Sequence, residues 1–309
     1  MNFKSTFVLF GLLVFVGGCG TNQAPKEIAR EPEYQPNLST PGFFIDSHVH
    51  YVPTDEWENS FIEVYTKWNA MACIMINLGD LDRGLEFIKA NPDRAIPYIQ
   101  LEMDSPTVLE DIQNAYNRGC RGIGELITHL DKNYDDPSYD PIWGLAEKLG
   151  IPVLPHTGIR GPGFLSRLRP GYLGTISYKF PDLMIHAAHF GNPWYNEAGE
   201  VARRNKNIYF DLTGSSLLKK DNDPGFWKQF LWWTPYLGKS HMPADARPAF
   251  EKLVFGSDEN PEYLEENIMR FNKMLDACEV SEASRKVIYY ETMANILNID
   301  VSKYLILKP

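Results

Sequence analysis

Short apolar runs alternate with amphipathic stretches along most of the chain, from residue 43 onward. The apolar runs are rich in β-branched and aromatic residues, which is typical of buried β-strands. Eight such runs predict strands over residues 43–50, 72–78, 95–102, 122–127, 151–156, 183–189, 207–212 and 252–258. The stretches between them place apolar residues at helical spacing. They predict helices over residues 80–91, 108–118, 140–149, 194–206, 262–278 and 282–299.

This alternation of strand and helix predicts a parallel sheet whose two faces are both covered by helices. Eight such units close naturally into a (β/α)8 barrel, the TIM-barrel fold, and we expect this architecture over residues 41–309. An open doubly wound sheet is the alternative. No GxGxxG motif follows the first predicted strand to suggest the nucleotide site of such a sheet.

The first residues have the pattern of an export signal. A positive charge precedes ten uninterrupted apolar or glycine residues over 7–16, a run too short to span a bilayer, which takes about 20 residues. The next residues, VGGC ending at Cys19, resemble a bacterial lipobox, in which cleavage leaves the cysteine as a lipidated N-terminus. We therefore expect a signal peptide over 1–18 and a lipid-anchored, polar linker over 19–40. The anchor predicts location in the bacterial cell envelope, at the outer membrane or facing the periplasm, and an ordinary signal peptide is the alternative.

The composition is that of an ordinary globular protein, with 44% hydrophobic and 23% charged residues. The net charge of −10 argues against a nucleic-acid partner, because phosphate backbones are bound by basic surfaces. Four cysteines in 309 residues are too few for a disulfide framework. The three beyond Cys19 lie in apolar or helical contexts, which predicts buried thiols. We expect a small-molecule substrate and no nucleic-acid partner.

Side chains able to bind a metal lie at the C-terminal ends of the predicted strands, where the catalytic face of a barrel is formed. These side chains are His48, His50, Glu125, His156, His189 and Asp258. His48 and His50 are two residues apart on one strand, so both point to the same face and make half a metal site. The pair alone is weak evidence. A buried, unpaired carboxylate at such a position would be costly, so the whole set favours a metal centre.

These motifs resemble those of the amidohydrolase superfamily, over residues 43–300. The motifs are IDSHVH at 45–50, PHTG at 155–158, HFG at 189–191 and FGSD at 255–258. The region of the sixth and seventh strands is most similar to the amidohydrolase-related branch (amidohydrolase 2), which includes metal-dependent decarboxylases, hydratases and lactonases of small carboxylic substrates. Glu125 departs from the mononuclear decarboxylases of that branch. It resembles the fourth-strand glutamate that bridges two metals in TatD-type nucleases.

The resemblance implies a metal-dependent hydrolase of a small-molecule amide or lactone-type ester, with one or two divalent ions, of which Zn²⁺ is expected. His48, His50, His156 and Asp258 would hold the first ion. Asp258 would also be the general base toward the metal-activated water. His189 would bind a second ion with Glu125, or would hydrogen-bond the developing oxyanion. A decarboxylase or hydratase, a dinuclear phosphoesterase-like hydrolase and a binding protein that has lost catalysis are the alternatives.

Other polar and aromatic residues have more than one interpretation. Arg160 is a candidate clamp for a substrate carboxylate, or a solvated loop arginine. Trp57 is a candidate substrate-binding residue at the mouth of the barrel. The aromatic insertion over 213–251 walls a pocket or lid, packs an extra helix onto the barrel, or forms a homo-oligomer contact.

The chain has further titratable residues near the predicted ligands. Asp46 shares a face with the paired histidines but lies deeper in the strand, and we expect it to support the ligands. His186 lies three residues before His189 on a predicted strand, so we expect its side chain on the opposite face, against a helix. His129 and His241 are expected in loops.

Overall fold

Seven parallel strands form one sheet, in which each strand pairs with its neighbour in the sequence. The computed structural model describes residues 37–128, 131–160, 165–220, 222–231 and 249–306. The strands are β1 (Phe44–His50), β2 (Ala70–Asn77), β3 (Ala95–Gln100), β4 (Gly122–Leu126), β5 (Val153–Pro155), β6 (Ile185–Ala187) and β7 (Ile208–Phe210). Nearly every residue in them is buried, as a parallel sheet covered on both faces requires.

A helix follows each of the first six strands before the next one begins, as parallel pairing requires. These helices are α1 (Asp55–Lys67), α2 (Leu81–Ala90), α3 (Val108–Asn117), α4 (Asp140–Leu149), α5 (Gly171–Lys179) and α6 (Tyr195–Arg204). The other α-helices within the described residues are α7 (Ser216–Lys219), α8 (Pro224–Leu231), α9 (Leu264–Ala277), α10 (Glu282–Lys286), α11 (Thr292–Leu297) and α12 (Ser302–Leu305). A π-helical segment, Val287–Glu291, joins α10 to α11.

The helix α1 shows how the local sequence sets these elements, although it was not predicted. The Thr54 side chain accepts a hydrogen bond from the Trp57 backbone N–H and caps the helix. Trp57, Phe61 and Tyr65 recur every four residues and are all buried. This spacing gives α1 one apolar face, which packs toward the sheet.

The eighth predicted strand, 252–258, is wrong as a strand, because its ladder is interrupted. The Phe255 N–H donates to the Ile288 carbonyl at 3.1 Å instead of to a neighbouring strand. The Ser257 N–H donates to Asp46 Oδ1 at 2.9 Å, which is a side-chain acceptor. The backbone N–H groups of Phe255 and Ser257 are therefore not available to pair with a neighbouring strand.

The segment 252–258 nevertheless joins the two edges of the sheet. Its Val254 N–H donates to the Phe210 carbonyl of β7 at 2.9 Å. On the other side, the Ser47 N–H of β1 donates to the Phe255 carbonyl at 2.9 Å, and the Asp258 N–H donates to the His48 carbonyl at 2.7 Å. Asp258 is therefore held beside the C-terminal end of β1.

The buried face of α9 also holds the start of the described chain. Asn272 is fully buried, and its Nδ2 donates to the carbonyls of Asn37 at 2.7 Å and Ser39 at 3.0 Å. Its Oδ1 accepts a hydrogen bond from the Tyr289 hydroxyl at 2.8 Å. One amide therefore connects three segments that are distant in the sequence.

The described half of the aromatic insertion packs as a helix. On α8, the Trp227 side chain is buried and its Nε1 donates to the Leu217 carbonyl at 2.6 Å. The Phe230 ring lies 5.5 Å from the Tyr195 ring of α6, between centroids. This part of the insertion therefore follows the helix-packing interpretation, while residues 232–248 lie outside the described residues.

The three cysteines of the domain are buried and free, as predicted. Burial raises the pKa of the Cys120 thiol to about 12. In the described part of the chain, no helix has the length and apolar content needed to cross a membrane. The predicted signal peptide, Cys19 and the linker up to residue 36 lie outside the described residues.

Candidate metal centre

The six predicted metal ligands form two triads of side chains at the C-terminal ends of the strands. The first triad is His48, His50 and Asp258, and the second triad is Glu125, His156 and His189. Within each triad, the candidate ligand atoms lie within 4.8 Å of one another. The triads are adjacent, because His50 Nε2 lies 3.8 Å from Glu125 Oε2. The structure therefore brings side chains from distant parts of the sequence into one polar cluster.

The first triad has the spacing of ligands around one tetrahedral ion. His48 Nε2 lies 3.3 Å from His50 Nε2 and 3.5 Å from Asp258 Oδ1. His50 Nε2 lies 3.4 Å from the same carboxylate oxygen. Two ligands of a tetrahedral zinc ion, each about 2.0–2.1 Å from it, are about 3.3 Å apart. The first triad therefore fits a divalent ion bound through two nitrogens and one oxygen, with a fourth position open.

The second triad is more tightly connected. Glu125 Oε1 lies 2.7 Å from His156 Nδ1 and 3.2 Å from His189 Nε2, and these two nitrogens are 3.0 Å apart. The shorter of these separations are typical of hydrogen bonds. His156 Nε2 is buried and has no hydrogen-bond partner among the described residues. The structure thus groups His156 with Glu125 and His189, whereas its predicted partners are in the first triad.

The two histidines of the first triad are held by acceptors on their other ring nitrogen. His48 Nδ1 lies 3.0 Å from Asp211 Oδ2, and His50 Nδ1 lies 3.2 Å from Gln100 Oε1. An acceptor at Nδ1 places the proton there, so the neutral ring presents the lone pair of Nε2 to the site. Both rings are therefore oriented as metal ligands.

Three residues that contact the predicted ligands were not predicted from the sequence: Gln100, Asp211 and Thr213. Gln100 lies in the third predicted strand, 95–102, and Asp211 lies in the seventh, 207–212. Both are polar residues close to a strand end, which is the signal that identified the ligands. Thr213 has no distinctive sequence signal, because threonine is common after strands.

Asp46 connects β1 to the segment that carries Asp258. Its Oδ1 accepts hydrogen bonds from the backbone N–H groups of His48 at 3.1 Å and Ser257 at 2.9 Å. Its Oδ2 accepts a hydrogen bond from the Tyr65 hydroxyl at 2.8 Å. Burial raises the pKa of Asp46 to about 6, against these hydrogen bonds. This placement agrees with the predicted supporting role.

The backbone near the first triad is closely packed and partly strained. A Cβ on Gly256 would lie 3.0 Å from Ser47 Oγ and 3.3 Å from His48 Cβ, so any other residue here would require its neighbours to move by a few tenths of an ångström. Asp258 and His189 have φ angles of 51° and 68°. Non-glycine residues in this left-handed region are uncommon and are concentrated at functional sites.

Charges across the cluster shift several pKa values. Burial opposes protonation of His48, but its attraction to Asp258 and Asp211 outweighs burial and raises the His48 pKa to about 10. Burial also opposes ionisation of Asp211, but the hydrogen bond to His48 lowers the Asp211 pKa to about 2. For Glu125, hydrogen bonds from the two histidines of its triad outweigh burial and hold its pKa well below the ordinary value. A metal ion that binds here therefore displaces protons from imidazoles.

A cavity of about 260 Å³ opens beside the second triad. Its described lining consists of Asn77, Leu78, Gln100, Leu101, Glu102, Ser105, Asp111, Glu125, Ile127 and Arg160. Arg160 is exposed and lies on this lining together with Glu125, which places it beside the candidate metal centre. Its role as a substrate clamp stays a prediction.

Trp57 lies in an aromatic cluster, with only 6% of its surface exposed. Its ring stacks on Phe61 at 5.3 Å between centroids and contacts the edge of Tyr51 at 5.4 Å. The ring contacts described for Trp57 are with such aromatic neighbours, so its substrate-binding role stays a prediction.

The His186 side chain lies on the face of the sheet that the strands enclose, and the expectation that it packs against a helix is wrong. His186 Nε2 lies 3.0 Å from the hydroxyl of Tyr98, which belongs to β3. Because β3 and β6 are not neighbours in the sheet, these side chains meet across its interior. The alternation fails because β6 ends at Ala187, and His189 lies beyond it with a positive φ. His129 and His241 lie outside the described residues.

A protein-family model matches more than half of this chain. The family model described as Amidohydrolase matches residues 77–292. The matched region contains the second triad and Asp258, while the paired histidines of β1 precede it. No curated protein matches this chain.

Solved structures share the fold at low sequence identity. An uncharacterised TIM-barrel protein from Bordetella bronchiseptica is 16% identical, with a TM-score of 0.64 over 83% of this chain and 98% of that one. An amidohydrolase from Burkholderia multivorans with bound zinc is 12% identical, with a TM-score of 0.60 over 84% of this chain and all of that one. The 2,6-dihydroxybenzoate decarboxylase from Rhizobium is 15% identical, with a TM-score of 0.54 over 83% of this chain and 98% of that one.

Proposed function

Because this chain belongs to the amidohydrolase family, whose members are metal-dependent enzymes, we propose that it hydrolyses a small-molecule amide or lactone-type ester. The first triad carries the proposal, since its three ligand atoms have the mutual separations of ligands to one tetrahedral ion. The complete (β/α)8 barrel, with residues 252–258 in the place of the eighth strand, is part of the proposal.

The residues fit one or two divalent ions. His48, His50 and Asp258 would hold the first ion, for which Zn²⁺ suits the donor set. Glu125 and His189 would hold a second ion, with His156 beside them. A bound ion lowers the pKa of a coordinated water toward about 7 and polarises a carbonyl group.

Asp258 is the carboxylate that we assign as general base. Burial opposes its ionisation, but attraction to His48 outweighs burial and lowers the pKa of Asp258, so it is ionised at neutral pH. Its side chain is 25% exposed, whereas that of Glu125 is 7% exposed. As a member of the first triad with an exposed part, Asp258 can contact the bound ion and also a water molecule in the open part of the site.

The surroundings of His189 favour its role as a ligand over its role as a hydrogen-bond donor to substrate. Its Nδ1 lies 2.8 Å from the Thr213 carbonyl, which accepts a hydrogen bond from the proton on this nitrogen. A metal ion would displace the proton on Nε2 that hydrogen-bonds Glu125, and the neutral ring would then offer the Nε2 lone pair to the ion. Donation to a developing oxyanion would instead require the ring to keep both protons.

The cavity beside Glu125 supports a small substrate. Its volume of about 260 Å³ is below the range of about 300–1,000 Å³ of pockets for drug-sized ligands. The described lining has three carboxylates, Glu102, Asp111 and Glu125, and one guanidinium, Arg160. This balance disfavours a phosphate dianion, so the phosphoesterase-like alternative is the weaker one. Arg160 is available for a substrate carboxylate.

Decarboxylation or hydration of a small carboxylic acid is the second candidate. The observation that favours it is the difference between the triads. Only the first has separations close to those of tetrahedral ligands, while Glu125 and His156 are 2.7 Å apart, as in a hydrogen bond. This difference between the triads is expected of a site that binds a single ion, in the first triad.

Metal analysis of the purified full-length protein separates these possibilities. Two equivalents of metal per chain would favour the hydrolase with two ions, and one equivalent would favour the single-ion chemistry. No metal binding by the protein after zinc is supplied would refute the metal centre. A screen with lactones, N-acyl compounds and aromatic carboxylic acids then identifies the bond that is broken.

The variant Asp258→Asn tests the assignment of the base. It removes the proton acceptor, and we expect turnover to fall by about 10²–10⁴-fold while KM changes little. Asp300→Asn, at an exposed position near the C-terminus, is the control and should keep wild-type turnover. Wild-type turnover in Asp258→Asn would show that another group accepts the proton.

We also propose that Cys19 is lipidated and anchors the protein in the cell envelope. The lipobox-like VGGC sequence and the polar linker support this proposal. In a bacterial host, wild-type protein should fractionate with membranes and incorporate labelled fatty acid. Cys19→Ser should do neither, and labelling of that variant would contradict the assignment.

A further inference from the structure

Asp211 is a buried carboxylate that lies behind both triads. It follows β7, and its side chain is 1% exposed. Its two oxygens have different partners. Oδ2 accepts from His48 Nδ1 at 3.0 Å, whereas Oδ1 accepts from the backbone N–H groups of His189 at 2.9 Å and Thr213 at 3.0 Å. Oδ1 also accepts from the Thr213 hydroxyl at 2.6 Å.

The contact through Oδ2 determines the proton position on His48. An ionised carboxylate is only an acceptor, so the neutral His48 ring must carry its proton on Nδ1. Its Nε2 then has a lone pair, and this atom lies 3.3 Å from His50 Nε2 in the first triad. Without an acceptor at Nδ1, either ring nitrogen could carry the proton.

The contact through Oδ1 determines the proton position on His189 by way of Thr213. Because the Thr213 hydroxyl donates its proton to Asp211, it has only lone pairs to offer to His189 Nδ1, which is 2.9 Å away. The Thr213 carbonyl is a second acceptor for the same nitrogen, at 2.8 Å. With Nδ1 protonated, His189 Nε2 is the nitrogen that would bind an ion, once the ion displaces the proton that hydrogen-bonds Glu125 in the second triad.

We infer that Asp211 is a positioning residue that sets the proton positions of His48 and His189 together, and so prepares both triads to bind metal. The inference rests on the proposed metal centre and not on the reaction. It goes beyond the predicted ligands, because Asp211 contacts neither a substrate nor the first triad's ligand atoms. Its effect passes through two imidazoles that belong to different triads.

An asparagine at position 211 should damage one triad and spare the other. Three donors converge on Oδ1, so the amide oxygen of Asp211→Asn would take that place. The amide NH₂ group would then face His48 Nδ1 and donate to it. His48 would have to carry its proton on Nε2, where it could no longer bind a metal ion. The acceptors around His189 would be unchanged.

Threonine 213 provides the matched pair of variants for the other triad. Thr213→Val removes the hydroxyl between Asp211 and His189 while keeping the branched shape. Thr213→Ser keeps the hydroxyl and should behave as the wild type. The valine variant removes one of the two acceptors of His189 Nδ1 and keeps the Thr213 carbonyl, so it should weaken metal binding through His189 less than Asp211→Asn weakens binding through His48, and should leave His48 unchanged.

The experiment measures zinc binding by competition with a chromophoric chelator, using metal-depleted full-length protein, and records ¹⁵N spectra of the histidines after zinc is added. We expect Asp211→Asn to weaken binding at the first triad by about 10–100-fold, the usual effect of removing a carboxylate behind a ligating histidine. Its His48 Nε2 should lose the shift of a zinc-bound nitrogen, while His189 keeps it. Thr213→Val should show a smaller loss, confined to His189, because the Thr213 carbonyl remains as an acceptor, and Thr213→Ser should match the wild type.

Wild-type zinc affinity and an unchanged His48 spectrum in Asp211→Asn would overturn the inference while leaving the proposed function intact. Absence of zinc binding in the wild type would overturn the proposed metal centre, and the inference with it. Circular dichroism checks that each variant is folded. If Asp211→Asn does not fold, equal zinc affinity and equal His189 spectra in Thr213→Val and Thr213→Ser would overturn the inference.

Discussion

The buried imidazole of His186 should make the folded protein sensitive to acid. His186 is 1% exposed, and burial lowers its pKa to about 3, from an ordinary value of 6.5. Its Nε2 contacts the Tyr98 hydroxyl, and its Nδ1 has no partner among the described residues. The folded protein therefore keeps this ring neutral at pH values where the unfolded chain protonates it.

The sign and size of the effect follow from this difference. Because the folded pKa is lowered, the stability that depends on the neutral ring is nearly complete one pH unit above 6.5 and is lost as the pH falls through 6.5 toward 3. Well inside this window, each pH unit changes the free energy of unfolding by about 1.4 kcal/mol per proton. At pH 6.5 the ring of the unfolded chain is already half protonated, so between pH 6.5 and pH 4.5 His186 should lower the stability by about 2.3 kcal/mol.

Replacement by glutamine removes this titration. His186→Gln keeps a polar group near Tyr98 but binds no proton in this range. Urea unfolding at pH 6.5, 5.5 and 4.5, in the presence of a chelator, gives the free energy of unfolding of each protein. Between the two end points, the wild type should lose about 2.3 kcal/mol more than the variant. The other acid-titrating groups are common to both proteins and cancel in the comparison.

Tyr98→Phe is the control for the hydrogen bond. It removes the same contact but leaves His186 buried, so the wild-type dependence on pH should remain. Parallel losses of stability in His186→Gln and the wild type would refute the reasoning, because they would show that His186 gains no proton on unfolding.

Three further predictions concern stability. Gly256→Ala should lower the free energy of unfolding by about 1–3 kcal/mol, because its Cβ would press on β1. Gly79 has open space around it, so Gly79→Ala should change the free energy of unfolding by less than about 0.5 kcal/mol. Equal effects of the two substitutions would contradict the close approach of Gly256 to β1. Asn272→Ala should cost about 1–3 kcal/mol and expose residues 37–40 to proteases, so an unchanged digestion pattern would show that these residues are held by other contacts. Chelation should lower the melting temperature and added Zn²⁺ should restore it, whereas an unchanged melting temperature would argue against a bound ion.

Much of the fold could be predicted because buried parallel strands read as continuous apolar runs. The strand β2, for example, is almost entirely buried and matches the run at 72–78 to within two residues. Residues 252–258 also contain an apolar run, at 253–255, yet they do not form a strand, since Asp46 and Ile288 accept hydrogen bonds from two of their backbone N–H groups. Such competition depends on residues far away in the sequence and leaves no local signal.

The candidate site could be predicted to the extent that functional side chains lie at the C-terminal ends of the strands. That rule identified His48, His50 and Asp258, which the structure brings together. It would have identified Asp211 as well, had every polar residue near a strand end been considered. The direction of His186 could not be predicted, because the alternation of side chains holds only as far as the strand extends.

The position of Asp258 beside β1 has a consequence for biosynthesis. A nascent chain presents His48 and His50 early, but the carboxylate that completes the first triad is synthesised only after most of the domain has left the ribosome. The ion-binding geometry of this triad cannot exist before residues 252–258 pack between β7 and β1. Only a domain that has been synthesised beyond Asp258 and has folded can therefore bind an ion through all three side chains. Translation products that end before Asp258 cannot.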